Sequence, residues 1–274
     1  MAPAVSRPDN QLGLAINAFF ATLRRDLAVT RREMIPFLAQ ALIQPMFFLF
    51  VFCKILPGIG LAAGNFASLL LPGIVGLTEL MAAIQGVALP LVLDLGFARE
   101  IDDRILAPIP LWMIAAEKML FAAMRGIVAG SVIFPAAWIM LGSRYAVRGD
   151  RIGLLIGMLV LAAFAGSGIG LLIGTLVKPE QISLMFTLIL TPLLFTGCTY
   201  YPWSALTTVR WFQVITLFNP LTYAAEGLRY TMVPPVAGRN VPTLPLHWVL
   251  LALFVTIGLC FLFGIRTFRS RVVS

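Results

Sequence analysis

Four charged side chains stand inside stretches that otherwise carry no charge: Glu79 in one apolar run, and Glu117, Lys118 and Arg125 in the next. A charge at hydrocarbon depth is expensive, so it is kept for an ion pair, a proton or ion path, or a polar cavity. The two runs are antiparallel neighbours in sequence, which brings Glu79 and Arg125 to similar depths and predicts a buried pair between them. The alternative for Glu79 is a proton or substrate contact in a central cavity, as in a proton-coupled carrier. Lys118 lies nearer the cytoplasmic end, where it snorkels or meets Asp94. Bond-breaking chemistry at a membrane surface needs paired carboxylates, histidines or metal ligands near one interface. His247 is the only histidine, with no acidic residue near it in sequence. Asp102 and Asp103 are adjacent and diverge by about 100° on a helix, so they form no shared metal site. Cys53, Cys198 and Cys260 are scattered without a CxxC and read as small buried residues. No catalytic residue and no metal site are assigned, and a lipid-modifying enzyme is the weaker class beside a transporter.

The elements that position these charges are set by composition. Sixty per cent hydrophobic residues, 12% charged residues and a mean hydropathy of +0.95 over 274 residues leave too much apolar surface for a water-soluble domain. Six segments are long enough to cross the roughly 30 Å hydrocarbon core as helices: Ile35 to Leu56, Phe66 to Leu93, Leu111 to Leu141, Ile152 to Val177, Ile182 to Cys198, and Leu246 to Phe263. A β-barrel is excluded, because these segments lack the period-two alternation of barrel strands. The expected fold is therefore all-α: residues 1–34 form an N-terminal cytoplasmic segment and residues 35–274 a six-helix transmembrane domain. Eleven Lys and Arg flank the spans on the side of the termini and seven on the other, so both termini are expected in the cytoplasm. The first strongly apolar run begins only near Ile35 and no cleaved signal peptide is expected.

Between the spans, four stretches carry further information. Leu12, Ile16, Phe19, Leu23 and Leu27 share one helical stripe, which predicts a helix lying on the inner membrane surface, with a cytosolic extension of the first span as the alternative. The loop "FAREIDDRILAPIP" spaces Phe97, Ile101 and Ile105 by four residues among Arg99, Glu100, Asp102, Asp103 and Arg104, and ends in prolines. That is either a short amphipathic helix suited to a groove on another protein or a solvated turn. In span four, Ala162, Gly166, Gly170 and Gly174 form a smooth ridge for close packing, within a copy or between copies. The local "GSGIGLLIG" is no dinucleotide loop, since no strand precedes it and Leu171 stands where the third glycine belongs. After span five, Gly197 and Pro202 break the helix, and Tyr200, Tyr201 and Trp203 favour the headgroup level. Leu206, Val209, Phe212 and Ile215 then make a helical pattern too short to cross, followed by a second short helix with Asn219 as N-cap and Pro220 at its first position. Glu226 and Arg229 on that helix face water or each other. The whole segment, Tyr200 to Met232, reads as a re-entrant pair in the outer leaflet shaping the mouth of a pathway, or as an extracellular hairpin with an aromatic belt.

Taken with "REIDDRILAPIP" and "FTGCTYYPWSALTTVRWFQVITLFNPLTYAAEGLR", this order of elements resembles the ABC-2 type transporter permeases, the membrane subunits of ATP-driven exporters of drugs, lipids and polysaccharides. The resemblance covers essentially the whole chain and departs from the family pattern at Leu206–Thr207, where Leu-Pro is common. It implies an interfacial helix from Leu12 to Arg32, a coupling helix over residues 97–110, and a re-entrant pair over residues 200–232. It implies that Arg99, Glu100, Asp102, Asp103 and Arg104 touch an ATPase subunit, and that Gly197, Tyr200, Tyr201, Pro202, Asn219 and Pro220 build an external gate. The sequence contains no GxxxxGK phosphate loop. The resemblance accordingly implies two separate ATPase subunits carrying ATP and Mg, a second permease copy, and no cofactor on this chain. The expected activity is export of an amphipathic substrate, lipid-like, glycolipid or hydrophobic drug, across the cytoplasmic membrane, with polysaccharide export as the alternative.

Overall fold

The computed structural model describes residues 8–60, 66–94, 110–142, 145, 147–235 and 241–273. Every regular element among these residues is helical. An N-terminal helix α1 (Pro8–Arg32) is followed by five helices of membrane length: α2 (Met34–Gly58), α3 (Phe66–Leu93), α4 (Leu111–Leu141), α5 (Ile152–Leu176) and α6 (Ile182–Thr196), the last extended by a 3-10 turn from Pro179. Two short helices, α7 (Arg210–Thr216) and α8 (Pro220–Met232), precede the final α9 (Leu246–Val273). Six of these helices are long and apolar enough to span a bilayer, at the positions the hydropathy pattern predicts.

α3 is the axle of the bundle. Its apolar residues are spread around the whole helix, and a helix of that kind belongs in an interior. It packs on α4, α5 and α8, and 78% of its apolar window is buried. Close approach to α5 comes from the small-residue ridge: a Cβ at Gly170 would lie 2.5 Å from the Ile84 carbonyl oxygen, and one at Gly166 2.8 Å from that of Leu80. The ridge therefore packs within one copy, against α3. On the α4 side, Gly130 lies against the Glu79 side chain, Gly126 against Ala83, and Gly86 against Ala122, which fixes an antiparallel register. α2, α6 and α9 are peripheral, with 11%, 0% and 17% of their windows buried, so their outer faces are left to lipid or to another chain.

α1 packs on α4. Along the predicted stripe Leu23 is buried, Phe19 and Leu27 are half-buried and Ile16 is exposed. The contact also includes a charge that stripe reasoning passes over. Asp26 Oδ2 accepts a hydrogen bond from Lys118 Nζ at 2.8 Å, and both side chains are about nine-tenths buried. Lys118 thus reaches the N-terminal helix, where the sequence pattern offered snorkelling or Asp94 at the foot of the second span; the docking of α1 brings Asp26 within reach. Burial opposes ionisation of Asp26, but the hydrogen bonds and charges of Lys118 and Arg25 outweigh it and hold the carboxyl below its ordinary value. A carboxyl lowered in this way stabilises the folded state at neutral pH, and the contribution is lost as pH falls through the acid range below about 4. Asp26→Asn should accordingly speed amide hydrogen exchange in α1 at neutral pH, and acidification should add little further change in the variant. Unchanged exchange in Asp26→Asn would show that the apolar contact alone docks α1.

Candidate functional site

The end of the bundle opposite the start of α2 is built around the break after α6. Gly197 ends that helix where a Cβ would meet Leu221 Cδ2 at 2.4 Å. Cys198 then adopts a left-handed conformation, φ 50°, a region that L residues enter rarely. This turn presses the Thr199 carbonyl onto α3 so closely that a Cβ at Gly73 would sit 1.9 Å from its oxygen. The Tyr200 ring packs on Phe48 and Phe52 of α2, with centroids 4.9 and 5.9 Å away. The Tyr201 hydroxyl donates to the Phe195 carbonyl at 2.6 Å. Pro202 leads into a 3-10 segment (Trp203–Thr208), and Trp203 and Gln213 exchange hydrogen bonds to each other's carbonyls at 3.2 Å. Asn219 caps α8: its Oδ1 accepts from Leu221 N at 2.9 Å, and its Nδ2 donates to Leu193 O and Thr196 Oγ1 at 2.7 and 2.8 Å. Pro220 occupies the first turn of α8, where its missing N–H removes no helical bond.

α8 is not a surface element. It lies between α3, α5 and α9, with Gly76 of α3 against Ala224, Ala225 and Leu228. Gly76 is ten residues into α3, so α8 runs alongside that helix about 15 Å from its end. Glu226 and Arg229 are both fully buried and paired with each other. Glu226 also accepts from Trp203 N at 2.9 Å and Leu244 N at 3.1 Å. Arg229 donates to Leu69 O at 3.2 Å and Cys198 O at 3.0 Å. One ion pair thus ties α3, the Cys198 turn, the 3-10 segment and the approach to α9 onto α8.

A second feature is a groove of about 560 Å3 between α2, α3 and α6. α3 is covered along most of its length; the exposed Gln85 and Leu89 and the half-buried Met81 and Ala82, with the buried Thr78 beneath, form the groove's floor. α2 contributes Phe37, Gln40, Gln44 and Phe48, and α6 contributes Leu190, Thr191, Leu194 and Phe195. Arg125 enters from α4 as the sole charged residue among the described residues of the lining. Its guanidinium lies over the Phe37 ring, 4.4 Å from the centroid, an arrangement favoured by the ring's negative face.

The predicted Glu79–Arg125 pair does not form. Glu79 faces Gly130, is fully buried, and its carboxyl oxygens have no hydrogen-bond partner among the described residues. The helix register places Arg125 about five residues further along, roughly 7 Å toward the other end, over Phe37 and beside Gly86. Depth counted from span ends fails here because α3 and α4 differ in length and offset, 28 against 31 residues. Arg99, Glu100, Asp102, Asp103 and Arg104 fall outside the described residues. Sequence reasoning missed Gln40, Gln44 and Gln85 as groove residues. The signal was present, since amides at positions 40 and 44 share one face of an otherwise apolar span.

Six helices of membrane length around a partly polar groove define a multi-pass membrane protein. The model of the ABC-2 type transporter family matches residues 17–233, from α1 to the end of α8, and the chain belongs to that family. No curated protein matches the sequence significantly.

Proposed function

We propose that this chain is the permease subunit of an ABC exporter that moves an amphipathic molecule, lipid-like, glycolipid or hydrophobic drug, outward across the cytoplasmic membrane. The observation that carries this reading is the groove. Its lining mixes apolar side chains with three glutamines, two threonines and one arginine, and it opens between two helices that the bundle holds only weakly. A polysaccharide path lined with aromatic rings fits less well, because the groove has three phenylalanines and neither tyrosine nor tryptophan. A carrier using Glu79 fits less well too, because that carboxyl is sealed between α3 and α4 away from the groove.

Both termini lie in the cytoplasm in this reading, and two copies of the chain assemble with two separate ATPase subunits that bind ATP and Mg. Residues 97–110 receive the push of those subunits, through Arg99, Glu100, Asp102, Asp103 and Arg104. The segment around Gly197, Tyr200, Tyr201, Pro202, Asn219 and Pro220 gates the external end. Purification from native membranes in mild detergent tests the assembly. An ATPase subunit should accompany the native chain and be lost when Asp102 and Asp103 are both changed to lysine, with the permease itself still folded. Recovery of the native chain without any ATPase under several mild conditions overturns the exporter reading.

A further inference from the structure

We infer that the groove receives an anionic amphipath from the inner leaflet, with its phosphate, sulfonate or carboxylate headgroup seated on Arg125 and its acyl chain lying along α3 between α2 and α6. The inference rests on the exporter reading and names the substrate class for its groove. Three observations support it. The Arg125 guanidinium has no hydrogen bond to any described residue, its buried Nε included. No ion pair joins it to a carboxylate among the described residues. A guanidinium that lies over aromatic rings and makes no hydrogen bond among the described residues leaves its terminal N–H groups for an anion, and its planar fork suits the paired oxygens of a phosphate or carboxylate.

The second observation is the gradient along the groove. Arg125 lies seven residues, about 10 Å, from Lys118, which is pinned to the N-terminal helix by Asp26. It therefore sits just inside the level of α1, at the end of the groove marked by Phe37 and Pro90. From there the lining runs through Ala41, Met81 and Ala82 to Leu77, Phe48 and Leu194. A lipid of the inner leaflet has this same polarity, headgroup toward the cytoplasm and chain toward the midplane. The third observation is the set of amides. Gln40, Gln44 and Gln85 line the groove without hydrogen bonds to other described residues, and they supply donors to headgroup oxygens that a wholly apolar groove lacks.

The full-length chain in phosphatidylcholine nanodiscs, without ATP, provides the test. Three fluorescent probes of equal chain length are compared: an alkyl phosphate, an alkyl phosphocholine and an alkyl trimethylammonium. The alkyl phosphate should bind saturably and tightest. Arg125→Gln should weaken it by about tenfold or more, and the phosphocholine, whose single negative charge is offset by its own ammonium, by clearly less; Arg125→Lys should restore part of the loss. Gln40, exposed on α2, gives a variant that does not disturb the bundle. Gln40→Glu should weaken alkyl phosphate binding and Gln40→Lys should strengthen it. Equal binding of the phosphate and ammonium probes, or the same alkyl phosphate affinity in all four variants, overturns the inference. Because binding is read without ATP, its failure is separate from that of the exporter reading, which the ATPase co-purification tests.

Discussion

Arg229→Ala should cause one of the largest losses of stability of any single substitution in this chain, read as thermal unfolding in detergent. Arg229 and Glu226 have no exposed surface, so neither side chain has water to fall back on. Removing the arginine leaves the Glu226 carboxylate buried with two backbone donors, Trp203 N and Leu244 N, and no cation. It also removes a donor from Leu69 O and from Cys198 O. Breaking a buried pair in this way costs about 3–5 kcal/mol. The damage should be local at first, with the Cys198 turn and the 3-10 segment becoming sensitive to protease before the spans do. Replacing both members, Glu226→Leu with Arg229→Met, should recover much of the stability, because a buried pair is worth little against well-packed apolar side chains of similar size. An unchanged midpoint in Arg229→Ala would mean that α8 is held by its apolar contacts alone.

The span boundaries were legible because hydropathy and length are enough to define a membrane helix. The helix end of α9 was not. Its apolar run stops at Phe263, but the helix continues to Val273. Arg266 and Arg269 end a hydrophobic stretch without ending a helix, and Arg271 secures the extension by donating to Leu176 O and Val177 O at the end of α5, at 2.9 and 3.0 Å. The cap and proline at the start of α8 were legible for the same local reason, since Asn219 and Pro220 act on their own first turn. Contacts between distant residues were not. Lys118 and Asp26 are 92 positions apart, and Arg229 and Leu69 are 160. The groove was hidden because it is defined by what α3 is not covered by. Only the packing of α4, α5 and α8 on the other faces leaves Gln85 and Met81 open.

That packing makes Gly170 the second position where a single change should have a large effect. The sequence shows a smooth ridge on span four, and the structure assigns it to α3 of the same copy. A Cβ at Gly170 would meet three backbone atoms of Ile84 between 2.5 and 3.1 Å. Backbone in the central helix cannot move aside as a flexible side-chain end can, so Gly170→Leu must push α5 away from α3. Overpacking of this kind costs about 1–3 kcal/mol or more, and the loss of fit should spread to the groove floor on the other side of α3. Gly157, on the same helix, has nothing within 4 Å of its ideal Cβ. Gly157→Ala should be neutral or stabilising by about 0.5–1 kcal/mol, since alanine holds a helix better than glycine. Thermal unfolding together with the oligomer mass in detergent distinguishes the two possible seats of the ridge. A ridge between copies would make Gly170→Leu dissociate the assembly while each copy stayed as stable as before. A ridge against α3 lowers the stability of the copy itself, and any change in assembly follows from that.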